Sequence, residues 1–239
     1  MAETLSRNVP FLDDKNQKQK ERNMNWKYVL GMAVASSFPF AASANIVADG
    51  NFSEGEFVTG NGGLWTTYGA GQPAGQTIGP WTVNSGSVDL TGTLWSQPPG
   101  GGYSLDMDGN NPGSIEQSVN LTAGTATVSF ALASNPNGIT TKTLEVDLLG
   151  LVPQTFTFDI TGYSTGNMGW TDESATFNIP TSGSYTLQFS SLDPLNSVWG
   201  PASGDVSISN AAVPDGGTTA GLLGGALVSL TTLRRKLLS

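Results

Sequence analysis

Between residues 127 and 208 the chain repeats one pattern five times: an apolar side chain at every second position, with hydroxyls, amides or carboxylates between. Thr127 to Leu132 sets Val128, Phe130 and Leu132 on one side, and Leu144 to Leu148 does the same while turning Glu145 and Asp147 the other way. Phe156 to Ile160, Tyr185 to Phe189 and the shorter Val206 to Ile208 repeat it. A period of two belongs to an extended chain with one buried and one wet face, and a helix cannot use it. Ser87 to Leu90, Ile115 to Leu121 and Thr176 to Ile179 carry weaker versions. Clusters such as Asn135-Pro136-Asn137-Gly138 and Gln97-Pro98-Pro99-Gly100-Gly101-Gly102 separate these runs and read as turns. Eight or more short strands, with no helical period and no internal repeat, predict an all-β domain of two antiparallel sheets packed as a sandwich. Cysteine is absent, so burial of the apolar faces must hold that domain together without disulfides.

Histidine is absent as well. No Ser-His-Asp triad, Cys-His dyad or Cys/His metal site can be built, and carboxylates, Tyr and Lys remain as acids and bases. Charge is segregated along the chain. Between Asn45 and Val213 there is one base, Lys142, against 14 acids, a net charge of −13. A body so charged repels phosphate backbones, which argues against a nucleic-acid partner, and it tolerates divalent cations.

The remaining bases lie at the two ends. Residues 1–23 form a charged leader, or precede the true start at Met24. Residues 24–44 have the form of a secretory signal peptide: Lys27 near the start, an apolar helix from Tyr28 to Phe40, and Ala42-Ser43-Ala44 ahead of a mature start at Asn45. Export through the Sec translocon and cleavage by signal peptidase between Ala44 and Asn45 follow from that form. At the other end, a turn at Val213-Pro214-Asp215-Gly216-Gly217 leads into an apolar helical stretch, then Arg234-Arg235-Lys236. The stretch is short for a full span, and the basic cluster would stay cytoplasmic, so the tail would insert transiently in the membrane. A permanent anchor is the alternative.

Residues 213–239 resemble the PEP-CTERM sorting signal of Gram-negative bacteria that make exopolysaccharide, in its Val-Pro-Asp-Gly-Gly form. The resemblance implies that an exosortase cuts near the motif and that the protein passes to the cell surface or extracellular matrix. The body, residues 45–212, carries a second resemblance. Asp49-Gly50-Asn51-Phe52-Ser53-Glu54, Gly79-Pro80-Trp81-Thr82-Val83, Ser104-Leu105-Asp106-Met107-Asp108-Gly109, Asn167-Met168-Gly169-Trp170 and Asp205-Val206-Ser207-Ile208 resemble the choice-of-anchor C surface proteins. The body is also similar to a plant cell-wall family of unknown function. Both imply a galactose-binding-like jelly roll, here flanked by the signal-peptide helix and the hydrophobic tail helix.

Trp65, Tyr68, Trp81, Trp95, Tyr103, Tyr163, Trp170 and Trp199 mostly adjoin Gly, Pro or polar residues, off the alternating runs. Loop aromatics on a sandwich can stack on sugar rings, and Trp65, Tyr68, Trp95 and Tyr103, within Gly-rich stretches, are the candidate sugar contacts. No cofactor is required by the sequence. Asp106 and Asp108 alternate oxygen ligands in a way that suits a structural Ca2+. Jelly-roll carbohydrate modules often place such an ion between their first and last strands, and Asn51, Glu54 and Asp205 resemble those ligands. Solvated surface acids are the plainer reading of the four carboxylates. Most acids on strands point outward by the alternation and no pair stands out, so no enzyme activity is expected. The expected function is non-catalytic binding of exopolysaccharide or envelope glycan in the matrix or biofilm. A structural or adhesive protein without a sugar ligand, and less so a carbohydrate-active enzyme, are the alternatives.

Overall fold

The computed structural model describes residues 45–58 and 63–212. The leader, signal peptide, tail motif and basic cluster, with Ala44, Val213 to Gly217 and Arg234 to Lys236, lie outside the described residues. The described chain is a jelly-roll β-sandwich with no helix among those residues. One sheet runs in the order β1 (Trp65–Gly69), β4 (Ser87–Thr91), β5 (Ser104–Asp106), β12 (Pro201–Ala212), β7 (Gly124–Ser134), β10 (Thr171–Ile179). The other runs β2 (Thr77–Ile78), β3 (Trp81–Ser85), β6 (Ser114–Leu121), β11 (Gly183–Ser191), β8 (Thr141–Leu148), β9 (Gln154–Asp159). Every pairing is antiparallel.

The apolar face predicted for each main run is the face that enters the core. Val128, Phe130 and Leu132 of β7 meet Leu144, Val146 and Leu148 of β8 and Leu187 and Phe189 of β11, all buried. Phe130 makes the junction between sheets, edge-on to Phe189 at 5.4 Å and to Phe156 at 5.0 Å. Phe156 and Ile160 stay half-buried because β9 is an edge strand with one neighbour. Trp81 at the head of β3 is fully buried between Phe52 and Phe189, with ring centroids at 5.6 and 6.2 Å.

Four strands escape the period-two pattern. β1, β2, β3 and β5 have five, two, five and three residues, too few for alternation to stand out between glycines and prolines. Trp65, Tyr68 and Trp81 therefore lie on strands, not in the loops where their neighbours suggested.

Residues 45–58 form no strand but are tied to the sandwich at several points. Asn45 accepts from Ile208 N and donates to Val206 O, and Gly50 O accepts from Val206 N at 2.8 Å. Only glycine fits at position 50, where a Cβ would sit 1.8 Å from Val206 O. Opposite this segment β12 bulges between Gly204 and Ser207, with Asp205 in the left-handed region at φ 52°. The extra residue bends the strand there.

Candidate functional site

Strands β1, β4 and β5 send their alternate side chains away from the core, and these form the floor of an open cleft of about 460 Å3. Register sets the floor. Trp65 faces Thr91, Thr67 faces Asp89, and Asp89 faces Asp106 across neighbouring strands. One wall comes from Leu94 and Trp95 in the β4–β5 loop, the opposite wall from Val198 and Trp199 in the β11–β12 loop, and Asn135 and Asn137 enter from the β7–β8 loop.

Side-chain bonds hold these loops in place. Trp95 Nε1 donates to Ser104 Oγ at 2.8 Å, and that hydroxyl donates to Gln97 Oε1 at 2.8 Å. The wall at Trp199 is fixed from behind, where the Lys142 ammonium donates to the Trp199 carbonyl. Trp199 itself remains 44 % exposed, so one indole wall is open to a ligand.

The floor is acidic. Asp106 is buried; its Oδ1 accepts from Gly200 N at 2.8 Å and Asp108 N at 3.0 Å, and its Oδ2 from Asn135 Nδ2 at 2.8 Å. Burial nevertheless drives its carboxyl well above the ordinary value, and the neighbouring Asp89 adds to the rise. Asp89 is raised by burial, partly offset by the Thr67 hydroxyl, which donates to its Oδ1 at 2.6 Å. The Asp89 Oδ2 atom accepts no hydrogen bond among the described residues. Like charges directly opposite on neighbouring strands repel, so this pair is a strained element of an otherwise ordinary sheet.

Behind the cleft Lys142 meets two more acids. Its ammonium lies 4.0 Å from Asp193 Oδ2, and both side chains are shut off from solvent. Asp108 is buried beside them; the Ser191 and Ser197 hydroxyls favour its charged form, yet neither of its oxygens has a hydrogen bond of ordinary geometry. Burial raises Asp108 and Asp193 and lowers Lys142.

These shifts predict the pH dependence of stability. Asp89, Asp106, Asp108 and Asp193 all hold protons more tightly in the fold than at the ordinary value of 3.8. Stability therefore falls as pH rises from 3.8 through their raised values. Lys142, lowered from 10.5, works in a separate alkaline window, where stability rises with pH. The melting temperature at pH 5 is expected to exceed that at pH 7 by a few degrees. Asp89→Asn should shrink the difference, whereas Asp159→Asn, on the exposed surface, should not. Equal melting temperatures at the two pH values in the parent protein would contradict this account.

The sequence candidates are divided by the fold. Trp65 and Trp95 line the cleft. Tyr68 does not: it is 2 % exposed on the core side of β1, and its hydroxyl donates to Glu56 O. Tyr103 is half-buried and packs edge-on against Phe57 at 4.9 Å, away from the cleft lining. Asp106 and Asp108 are both buried, where the sequence suggested Ca2+ ligands or solvated surface acids. The reason is the tight succession after β5, in which Gly200 packs so close that a Cβ there would lie 2.6 Å from Asp108 Cγ. Asn51 and Asp205 share a second, shallow cleft with Asp49 and Asp172, while Glu54 lines a different depression beside Tyr68. Asp205 Oδ2 accepts from Gly100 N at 2.8 Å. Among the described residues no group of three or more carboxylates is arranged to hold a metal ion.

Several cleft residues carried no strong signal in the sequence. Trp199 looked like any other loop aromatic. Asp89 alternates with Val88 and Leu90 and could be placed on the outer face of β4, but not opposite Asp106, because the three-residue β5 is too short to read as a strand. Asn135 and Asn137 read only as turn residues.

Solved carbohydrate-binding modules are among the structures similar to this β-sandwich. TmCBM61, solved in complex with β-1,4-galactotriose, is similar at 18 % identity and a TM-score of 0.44, over 71 % of this chain and 100 % of that one. A family 35 carbohydrate-binding module from Clostridium thermocellum is similar at 16 % identity and a TM-score of 0.41, over 55 % and 92 %. The chain belongs to the DUF642 family, described as a protein of unknown function, which matches residues 45–209. A VPDSG-CTERM motif matches residues 212–237, which identifies the tail as a sorting motif. Halomucin of Haloquadratum walsbyi is 31 % identical over 176 residues, 73 % of this chain. The chain spans 2 % of halomucin's length.

Proposed function

We propose that the protein is a non-catalytic glycan-binding module of the bacterial surface or extracellular matrix, exported through the Sec translocon, trimmed by signal peptidase before Asn45 and processed by an exosortase at its tail. The observation that carries the binding reading is the open cleft on the outer sheet face. It pairs the indoles of Trp65 and Trp199 with hydroxyl, amide and carboxylate groups, the combination that stacks on a sugar ring and bonds its rim. The sorting motif supports the location, and the mucin-like name of the halomucin relative agrees with a surface setting. Exopolysaccharide or envelope glycan is the ligand that such a location offers. A structural Ca2+ at the Asn51 and Asp205 cleft belongs to the same reading, as a support for the fold and not for binding.

The test is a screen of the protein against soluble polysaccharides, with Trp65→Ala and Trp199→Ala as cleft variants. Each substitution is expected to weaken binding about tenfold or more, as for a central aromatic contact, while the melting curve stays cooperative. Binding that survives both substitutions would remove the cleft from the account, and the structural or adhesive reading would then lead. The Asp89 and Asp106 pair favours one rival specifically, since two acids in a cleft can hydrolyse a glycoside. Release of reducing ends from a bound polysaccharide, abolished in Asp89→Asn, would establish that activity instead.

A further inference from the structure

We infer that the cleft on sheet β1-β4-β5 takes uncharged, hydroxyl-rich glycans and rejects uronate-bearing or sulfated ones, with Asp89 Oδ2 accepting a sugar hydroxyl as the selecting contact. This rests on the glycan-binding reading above and narrows it to a ligand class.

The ionisable side chains of the cleft floor are two carboxylates, Asp89 and Asp106. Asp106 turns both oxygens to Asn135 and the backbone, which leaves Asp89 as the acid that faces a ligand. Thr67 occupies Oδ1 of Asp89 and leaves Oδ2 as an acceptor on the floor between two indoles. An acceptor in that place asks for a donor, and a sugar hydroxyl is one.

An anionic sugar needs a cation or a set of donors, and the cleft offers no cation. Lys142 is the one base among the described residues. It is wholly buried, and its ammonium is committed to the Trp199 carbonyl and to Asp193 behind the wall. A carboxylate or sulfate brought within a few ångströms of Asp89 would meet unbalanced repulsion in a partly desolvated site, and the net charge of −13 between Asn45 and Val213 opposes its approach.

The experiment measures binding of the full chain to β-1,4-galactan and a β-1,3-glucan as uncharged probes, and to polygalacturonate and a sulfated galactan as anionic probes. Each is run with Ca2+ and with chelator, for the parent protein, Trp65→Ala and Asp89→Asn. At least one uncharged probe is expected to bind in both lanes, about a hundredfold more tightly than either anionic probe. Trp65→Ala should weaken that binding about tenfold or more. Asp89→Asn should weaken it about tenfold and narrow the gap to the anionic probes. Anionic binding as tight as uncharged binding, and weakened in Trp65→Ala, would overturn the inference and leave the glycan reading standing. So would anionic binding that appears only with Ca2+, or uncharged binding indifferent to Asp89→Asn. Failure of all four probes in every lane would instead count against the glycan reading, and the inference would fall with it.

Discussion

Lys142→Met is expected to cost about 3–5 kcal/mol of folding stability, the range seen when one partner of a buried ion pair is removed. The side chain is fully buried, and no other base exists in the domain to replace it. Without its ammonium, Asp193 loses its counter-charge at 4.0 Å, the Trp199 carbonyl loses a donor, and Asp108 is left deeper in a negative field. For a domain of this size that loss lowers the melting temperature by roughly 10 °C. Chemical unfolding of parent and variant gives the number directly. The double variant Lys142→Met/Asp193→Leu should recover part of the loss, because an apolar pair removes the stranded charge as well as the cation. A single-variant loss below about 1 kcal/mol would mean that the acids simply take up protons when the lysine is gone. The pH dependence near neutrality would then steepen, a second and independent reading of the same variant.

Trp81→Ala is expected to be as severe, at about 3–5 kcal/mol, through a different cause. The indole is fully buried and touches rings from both the N-terminal segment and β11, so its removal opens a cavity where the two meet. Its Nε1 also donates to Asp49 O at 3.1 Å, one of the bonds that hold residues 45–58 to the sandwich. Phe52, held in the left-handed region at φ 54°, is unusual for a bulky residue and is kept there by packing on this indole. Limited proteolysis should therefore cut the segment near Phe52 in Trp81→Ala well before the parent. Trp81→Phe keeps most of the packing and drops the N–H donor to Asp49 O, which still accepts from Phe52 N, so it should cost about 1 kcal/mol, the net contribution of one hydrogen bond. An alanine variant no worse than the phenylalanine variant would show that the surroundings collapse to fill the space.

The long strands were legible because side-chain period and burial are the same fact stated twice. β7, β8 and β11 lie inside their sheets, and each buries the residues its alternation marks. The site was legible only in part. Trp65 and Trp95 stood out as aromatics among glycines and do line the cleft, but Tyr68, three residues from Trp65, points through the sheet to the other side. On a strand an odd separation reverses the face, and a stretch not seen as a strand gives no warning of that. Pairing was the larger gap. Asp89 and Asp106 are seventeen positions apart in the chain and opposite each other in space, because β5 folds back beside β4. Lys142 is the clearest case of a residue whose meaning is tertiary. Sequence marks it as the lone base of an acidic domain, and only the packing of the β11–β12 loop reveals that it is spent inside.

Strand β12 is also a strut. Its twelve residues, Pro201 to Ala212, extend over roughly 35–40 Å. The cleft wall at Trp199 lies just before its first residue, and the chain continues into the sorting motif after its last. Ala212, the last residue of β12, therefore stands at the opposite end of the strand from the cleft wall. A pull between the two ends of β12 would run along the strand. It loads the ladder to β7 all at once, from Pro201–Ser134 to Ala212–Gly124, instead of opening it rung by rung.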